Sequence, residues 1–531
     1  MKILKLTSLS ILSIALLAGC GASKSATAPI AAIENLPLKN AEIKEGDLKR
    51  WSHLDIFADT IPGMSVDKAY KELIKNKKGK KIIVGVVDSG VDIEHPDLQG
   101  VIWTNAKEIA GNGIDDDKNG FIDDMHGWNF LGNIEGENLE MTRIVKKGDD
   151  GSETYKKAKA EFDKETQEAM AAKQQYDFIF NADKAIRAEL KKENYTVEDL
   201  KKLTSTNPLV NQVKPRFIQI LNTIPKAEFD EQILEAKEHF DNQVEFNLNL
   251  DFNARKLLGD NPDDINDTKY GNNNVIGPKK EGATHGTHVA GIISQVRNNG
   301  IGGDGIANNV EVLVVRAVPD GDEYDKDIAL GIRYAVDNGA RVINGSFGKS
   351  YSPHKEWVYD ALKYAAEKDV LVVLAAGNEG TDLDADDRYP NDRVGSQEIS
   401  NNVIKVGAVG PKYGSELVAD FSNYGTKDVD VFAPGVQIYA TIPEGKYKFL
   451  QGTSMASPNV AGVAALIRSY YPELTAPQVK QILMDSGVAT SIDVVLAGEK
   501  GNKRSFSKVS KTGRMVNAYN ALIMAGKMAK K

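Results

Sequence analysis

The chain has 531 residues, enough for one large domain carrying an insertion or for two to three ordinary domains. Hydrophobic residues make up 41% and charged residues 27%, a globular composition that excludes a disordered tail and a bundle of membrane spans. The formal charge is −9, and an acidic surface repels phosphate backbones, so no nucleic acid is expected as a partner.

At the N-terminus Lys2 and Lys5 precede an apolar stretch from Leu6 to Leu17, and Ala18-Gly19-Cys20 follows. A run of about a dozen apolar residues is too short to cross a ~30 Å hydrocarbon core, so residues 1–19 read as an export signal. Leu17-Ala18-Gly19-Cys20 resembles a bacterial lipoprotein box. That resemblance implies cleavage before Cys20, lipidation of its thiol and a lipid-anchored protein of the cell envelope, periplasmic or at the cell surface. An ordinary secretory signal with an incidental cysteine is the alternative. Cys20 is the only cysteine, so no internal disulfide can form and an exported fold must rely on packing and bound ions. Residues 20–49 read as a flexible tether.

Beyond the tether, Lys81 to Val87 is a continuous, β-branched apolar run, as expected for a strand covered on both faces. Similar runs occupy Val310 to Val318, Val342 to Asn344, Val370 to Ala375 and Val403 to Val409. Helix-period segments lie between them, one from Ala329 to Asn338 and one opening at Ser352-Pro353, which reads as an N-cap with proline at the first helical position. The alternation predicts an α/β fold of three layers, with a mostly parallel central sheet between helices. Ligands of such sheets sit beyond the carboxyl ends of the strands.

Residues 131–260 interrupt this rhythm between the two parts of the domain, 50–130 and 261–531. They are rich in Lys, Glu, Gln, Ala and Asn, and Phe229, Ile233, Ala236, Phe240 and Val244 recur at helical spacing. Thr196 with Asp199 matches a capping box. The segment reads as a helical insertion whose apolar stripe is expected to pack on the core, rather than on itself or a partner. Two charged runs, Lys500 to Arg514 and Asp382 to Asp387, are expected to be solvated.

Three short motifs carry chemistry. Asp88, in Val87-Asp88-Ser89-Gly90, stands where the first strong strand ends. His285, in His285-Gly286-Thr287-His288, opens a helix and suits a general base; a metal pair with His288 is the weaker reading, since no acidic ligand accompanies it. Ser454, in Gly452-Thr453-Ser454-Met455-Ala456-Ser457-Pro458, lies at a helix N-terminus, where free N–H groups favour the negative charge of acyl transfer. Together, in the order Asp, His, Ser, they form the orienter, base and nucleophile of a serine hydrolase.

At these motifs the sequence resembles the subtilisin-like serine peptidases (peptidase family S8), over roughly residues 80–130 and 275–525. The resemblance implies a serine endopeptidase with Ser454 as nucleophile, His285 as general base and Asp88 as the carboxylate that orients it. It also makes Asn378, in Ala375-Ala376-Gly377-Asn378, the side-chain oxyanion donor beside the backbone N–H of Ser454. Ser346, Phe347 and Gly348 would pair with the substrate backbone, and Ala375 to Gly377 would form the facing wall of the first specificity pocket. Main-chain pairing reads few side chains, so protein or peptide segments in extended form are the expected substrates, with a lean toward apolar residues before the cut. A serine esterase and a non-catalytic envelope binding protein on the same scaffold are the alternatives. Asn344-Gly345 and Ala307-Asn308 depart from the family pattern without touching the catalytic set. Trp51 to Tyr70 resembles the family's entry segment and follows Cys20 closely, so folding without a cleaved intramolecular chaperone is expected, unless the helical insertion serves that purpose.

No cofactor is required for this chemistry. A calcium ion is the structural candidate, because Asp115, Asp117 and Asn119 before Gly120, with Asp123 at the ninth position, match the start of a calcium loop. His126 stands where the bidentate glutamate belongs, leaving Asp124 or a remote carboxylate to replace it.

Overall fold

The computed structural model describes residues 43–395 and 397–530. The predicted export signal, Cys20 and the tether up to residue 42 lie outside the described residues.

Apart from two small hairpins, Arg393–Val394 with Gln397–Glu398 and Asp493–Leu496 with Glu499–Ser505, the described strands are β1 (Ile82–Asp88), β2 (Gly127–Asn129), β3 (Val310–Arg316), β4 (Val342–Gly345), β5 (Leu371–Ala375), β6 (Val403–Val409), β7 (Val431–Pro434), the hairpin β8 (Ile438–Ile442) and β9 (Lys446–Leu450), β10 (Val488–Ala489) and β11 (Arg514–Met515). Nine of them form one sheet in the order β10-β11-β7-β6-β5-β4-β1-β3-β2, all parallel except the pairing of β10 with β11. The apolar runs thus became the central strands. Val84, Val86, Val312 and Val314 are fully buried, which a sheet covered on both faces requires. The two- to four-residue strands at the edges, β2, β7, β10 and β11, were too short to signal themselves.

The described α-helices of six residues or more are α1 (Glu140–Lys147), α2 (Glu153–Leu190), α3 (Val197–Lys202), α4 (Pro208–Leu221), α5 (Lys226–Asn242), α6 (Thr284–Ser294), α7 (Asp325–Asp337), α8 (Lys355–Glu367), α9 (Thr453–Tyr470), α10 (Ala476–Ser486) and α11 (Ala518–Met528). Helices α6 and α9 cover one face of the sheet and α7 and α8 the other, each face with its own apolar core. Almost every residue of α9 is buried, consistent with a sequence apolar around its whole circumference. The entry segment belongs to this core: Trp51 is 1% exposed and its indole N–H donates to the carbonyl oxygens of Val436 and Gln437.

Helix α8 starts at Lys355, not at the expected Ser352-Pro353 cap. The Asp325 carboxylate takes both the Ser352 hydroxyl, at 2.7 Å, and the backbone N–H of His354, at 2.8 Å, so the cap chemistry is spent on a tertiary contact.

The insertion is helical, and α3 has the predicted capping box between Thr196 and Asp199. Its stripe packs chiefly on the insertion itself, contrary to expectation. Phe229 and Ile233 close over Ile186, Tyr195, Val210 and Phe217 in a separate small core. Helix α2, 38 residues and so about 57 Å long, is covered along this part of its length by α4 and α5. Asp177 and Lys237 tie α2 to α5 at 2.7 Å. The base of the insertion is anchored on the domain by Met141, Phe162 and Leu248 packing with Tyr351, and by the Asn247 amide donating to the carbonyl oxygen of Asp320 at 3.0 Å. The expected solvated runs are partly paired as well. Arg504 meets Asp382 at 2.8 Å, and Asp384 accepts from the backbone N–H groups of Thr426 and Lys427.

Candidate active site

Asp88 ends β1, His285 lies in the first turn of α6, Asn378 follows β5 by three residues and Ser454 is the second residue of α9. All four therefore stand at the carboxyl edge of the parallel strands, where successive loops converge.

The His285 Nδ1–H donates to Asp88 Oδ1 at 2.7 Å, and the backbone N–H of Ser89 donates to the same oxygen at 2.8 Å. Asp88 is 1% exposed, whereas 39% of the His285 side chain faces solvent. This close approach explains Gly286, because a Cβ there would sit 2.1 Å from the carbonyl oxygen of Gly90. Burial works to lower the pKa of His285, but the Asp88 carboxylate outweighs it and holds the imidazole above its ordinary 6.5. The same bond fixes the tautomer, leaving Nε2 free to accept a proton. His288 behaves differently. Its Nε2–H donates to the carbonyl oxygen of Lys448 at 3.0 Å, and burial pulls its pKa down to about 4, so it is a neutral strut between α6 and β9.

Asn378 is oriented by Thr453. Its Oδ1 accepts from the Thr453 backbone N–H at 2.8 Å and from the Thr453 hydroxyl at 3.0 Å, which points the amide N–H₂ away from both. Thr453 Oγ1 in turn accepts from the backbone N–H of Gly377 at 3.0 Å. Nothing in the sequence motif by itself marked Thr453 as the residue that sets this amide.

Ser454 is stapled to the predicted substrate edge. Its hydroxyl donates to the carbonyl oxygen of Ser346 at 3.2 Å, and the Ser346 hydroxyl donates to the carbonyl oxygen of Ser454 at 2.8 Å. That second bond has a covalent cause. Pro458, four residues on, has no N–H, so the Ser454 carbonyl lacks its helical partner and is open to Ser346. Asn344 completes the strap, donating to Ser346 Oγ at 2.9 Å while accepting from Ser457 Oγ at 2.8 Å. Gly345 is closely packed here, since a Cβ would lie 2.9 Å from Leu374 Cδ2.

Phe347, Gly348, Ala375 and Gly377 line a cleft of about 220 Å³ that opens at Ser454. The sequence reading did not anticipate its charged members, Glu379, Arg388 and Lys405. The signal for Lys405 was present: a lone lysine in the apolar strand VIKVGAV.

The predicted metal residues divide. Asp115 and Asp117 gather with Glu108, one carboxylate oxygen of each lying within 4.8 Å of the others. Asp123 is not in that group; its carboxylate accepts from the backbone N–H groups of Asn112 and Gly113, at 3.2 and 2.9 Å. Asn119 also turns its side chain elsewhere, donating to Asp124 at 3.0 Å. Glu108 comes from outside the motif and could not be found by its spacing.

A family model described as the Subtilase family matches residues 79–508. The Thermophilic serine proteinase of Bacillus sp. (strain AK1) is 47% identical over 186 residues, which cover 35% of this chain and 42% of that protein. Subtilisin DY of Bacillus licheniformis is 39% identical over 217 residues, covering 40% of this chain and 72% of that protein. The Intracellular serine protease of Paenibacillus polymyxa is 39% identical over 203 residues, covering 36% and 58% respectively. The chain thus spans less than two thirds of the first and third of these relatives.

Proposed function

We propose, from the premise that this chain belongs to the subtilase family, that it is a serine endopeptidase hydrolysing peptide bonds through an acyl-enzyme on Ser454. The observation that carries this is the 2.7 Å bond from His285 to the buried Asp88, at the same sheet edge as a serine whose neighbour Thr453 aims the Asn378 amide. In the first step the Ser454 hydroxyl turns from Ser346 to His285 Nε2. The imidazole takes its proton as Oγ attacks the carbonyl carbon, and the negative charge on the carbonyl oxygen meets the Asn378 amide and the backbone N–H of Ser454. A preorganised donor of this kind is worth on the order of 100- to 1000-fold in rate. The imidazolium then gives the proton to the leaving amine, and water repeats the sequence to release the acid. Substrate backbone pairs along Ser346 to Gly348, which restricts the site to extended segments. A fluorophosphonate that labels the protein but not Ser454→Ala, together with cleavage of an unfolded protein such as casein, tests this reading.

The mature chain begins at the lipidated Cys20 and is held at the cell envelope by that lipid. The export pattern of residues 1–20 supports this. Cells fed a clickable palmitate analogue should incorporate it into the wild type and not into Cys20→Ser, and label in both would sink the idea.

A calcium ion is held by Glu108, Asp115 and Asp117. Three carboxylates converging on one point repel one another without a cation, and their hard oxygens suit calcium. Saturation at about 100 times Kd stabilises by about 2.7 kcal/mol, so a chelator should lower Tm of a 531-residue chain by roughly 2–3 °C. Calorimetry with and without chelator checks it, and an unchanged Tm that also ignores Asp115→Asn would remove the site.

A further inference from the structure

Two cations meet in the cleft beside Ser454. Lys405 is 2% exposed, on a strand whose neighbours are wholly apolar, and its ammonium has no hydrogen-bond or ion-pair partner among the described residues. The aspartates behind it are otherwise engaged. Asp428 binds Arg393 at 2.8 Å, and Asp430 accepts the backbone N–H of Lys405 at 2.8 Å and lies 3.5 Å from Lys511. Asp392, buried beside Asp430, is pushed up to about 6. Burial lowers the pKa of Lys405 itself, as expected of an ammonium lacking a counter-charge in contact. Arg388 forms a second wall. Its Nη1 meets Asp386 at 2.9 Å, while its buried Nε–H has no hydrogen-bond partner and stands 3.6 Å from Glu379. Against these two cations the cleft offers one carboxylate, Glu379, whose side chain is 46% exposed.

We propose that this cleft selects glutamate or aspartate as the residue before the scissile bond, with Lys405 as the counter-charge at its floor and Arg388 beside it. The inference rests on the peptidase reading above and deepens it, replacing the lean toward apolar residues. A substrate carboxylate supplies what the buried ammonium lacks, whereas a phenylalanine there would leave that ammonium desolvated and unpaired. A lysine side chain would be repelled.

The test measures kcat/KM on matched peptides that differ only in having Glu, Phe or Lys before the cut, each enzyme sample being titrated first with a fluorophosphonate. A charge-assisted pair predicts Glu over Phe by about 10- to 100-fold, and a fall of similar size in that Glu-to-Phe ratio in Lys405→Met. Arg388→Gln should shift the ratio the same way by less, and it carries the test if Lys405→Met yields no titratable sites. A titrated wild type that prefers Phe, or variants with an unaltered Glu-to-Phe ratio, overturns the specificity alone. A wild type that neither labels nor cleaves overturns the peptidase reading and this inference with it.

Discussion

Replacing Ser454 with alanine should lower kcat on a protein substrate by about 10⁶-fold while leaving the fold intact. The substitution removes the oxygen that forms the acyl-enzyme. What remains is the rate due to binding and the oxyanion donors, which the Asn378–Thr453 bonds keep in place. The stability cost is small because the hydroxyl gives up one 3.2 Å bond to Ser346, while the 2.8 Å bond in the opposite direction uses the backbone of residue 454 and survives. His285→Ala should fall by a similar factor, and the double variant no further, because the two groups act as a unit. Proteome-wide mapping of new termini, wild type against Ser454→Ala, measures activity and specificity together. Cleavage that persists in the alanine variant would place the nucleophile elsewhere.

Asp88→Asn is expected to cost about 10⁴-fold in kcat with little change in KM. An amide at this position can present N–H to Nδ1, which moves the ring proton to Nε2, the very atom that must accept from Ser454. The pH profile gives a second, independent readout. The neutral imidazole is the base, so kcat/KM in the wild type falls as pH drops through a His285 pKa held above 6.5 by Asp88. In the variant only burial is left, and it acts in the opposite direction, so the acidic limb should move to lower pH. A limb that stays in place would assign the titration to another group.

Much of this was legible in the chain because the relevant signals are local. Continuous apolar runs such as KIIVGVV are short and β-branched, which favours central strands over buried helices, and each catalytic motif sits directly after such a run or at the head of a helix, so the sheet edge follows from the sequence. The failures were of contacts between distant segments. Ser352-Pro353 has the chemistry of a helix start, yet Asp325 claims the hydroxyl from 27 residues away. The periodicity of Phe229 and Ile233 showed an apolar face but not what covers it, and Glu108 joins Asp115 and Asp117 only through the path of the loop. Lys405 was readable as an anomaly. What it means depends on Arg388 and Phe347, which other loops bring to the same cleft.

The missing amide hydrogen of Pro458 reaches further than helix geometry. Because the carbonyl it leaves open is bound by Ser346, the rail that grips a substrate is bolted to the attacking residue itself. Thermal drift of one is shared by the other, so the spacing between bound peptide and attacking oxygen is protected from the looser motions of the surrounding scaffold.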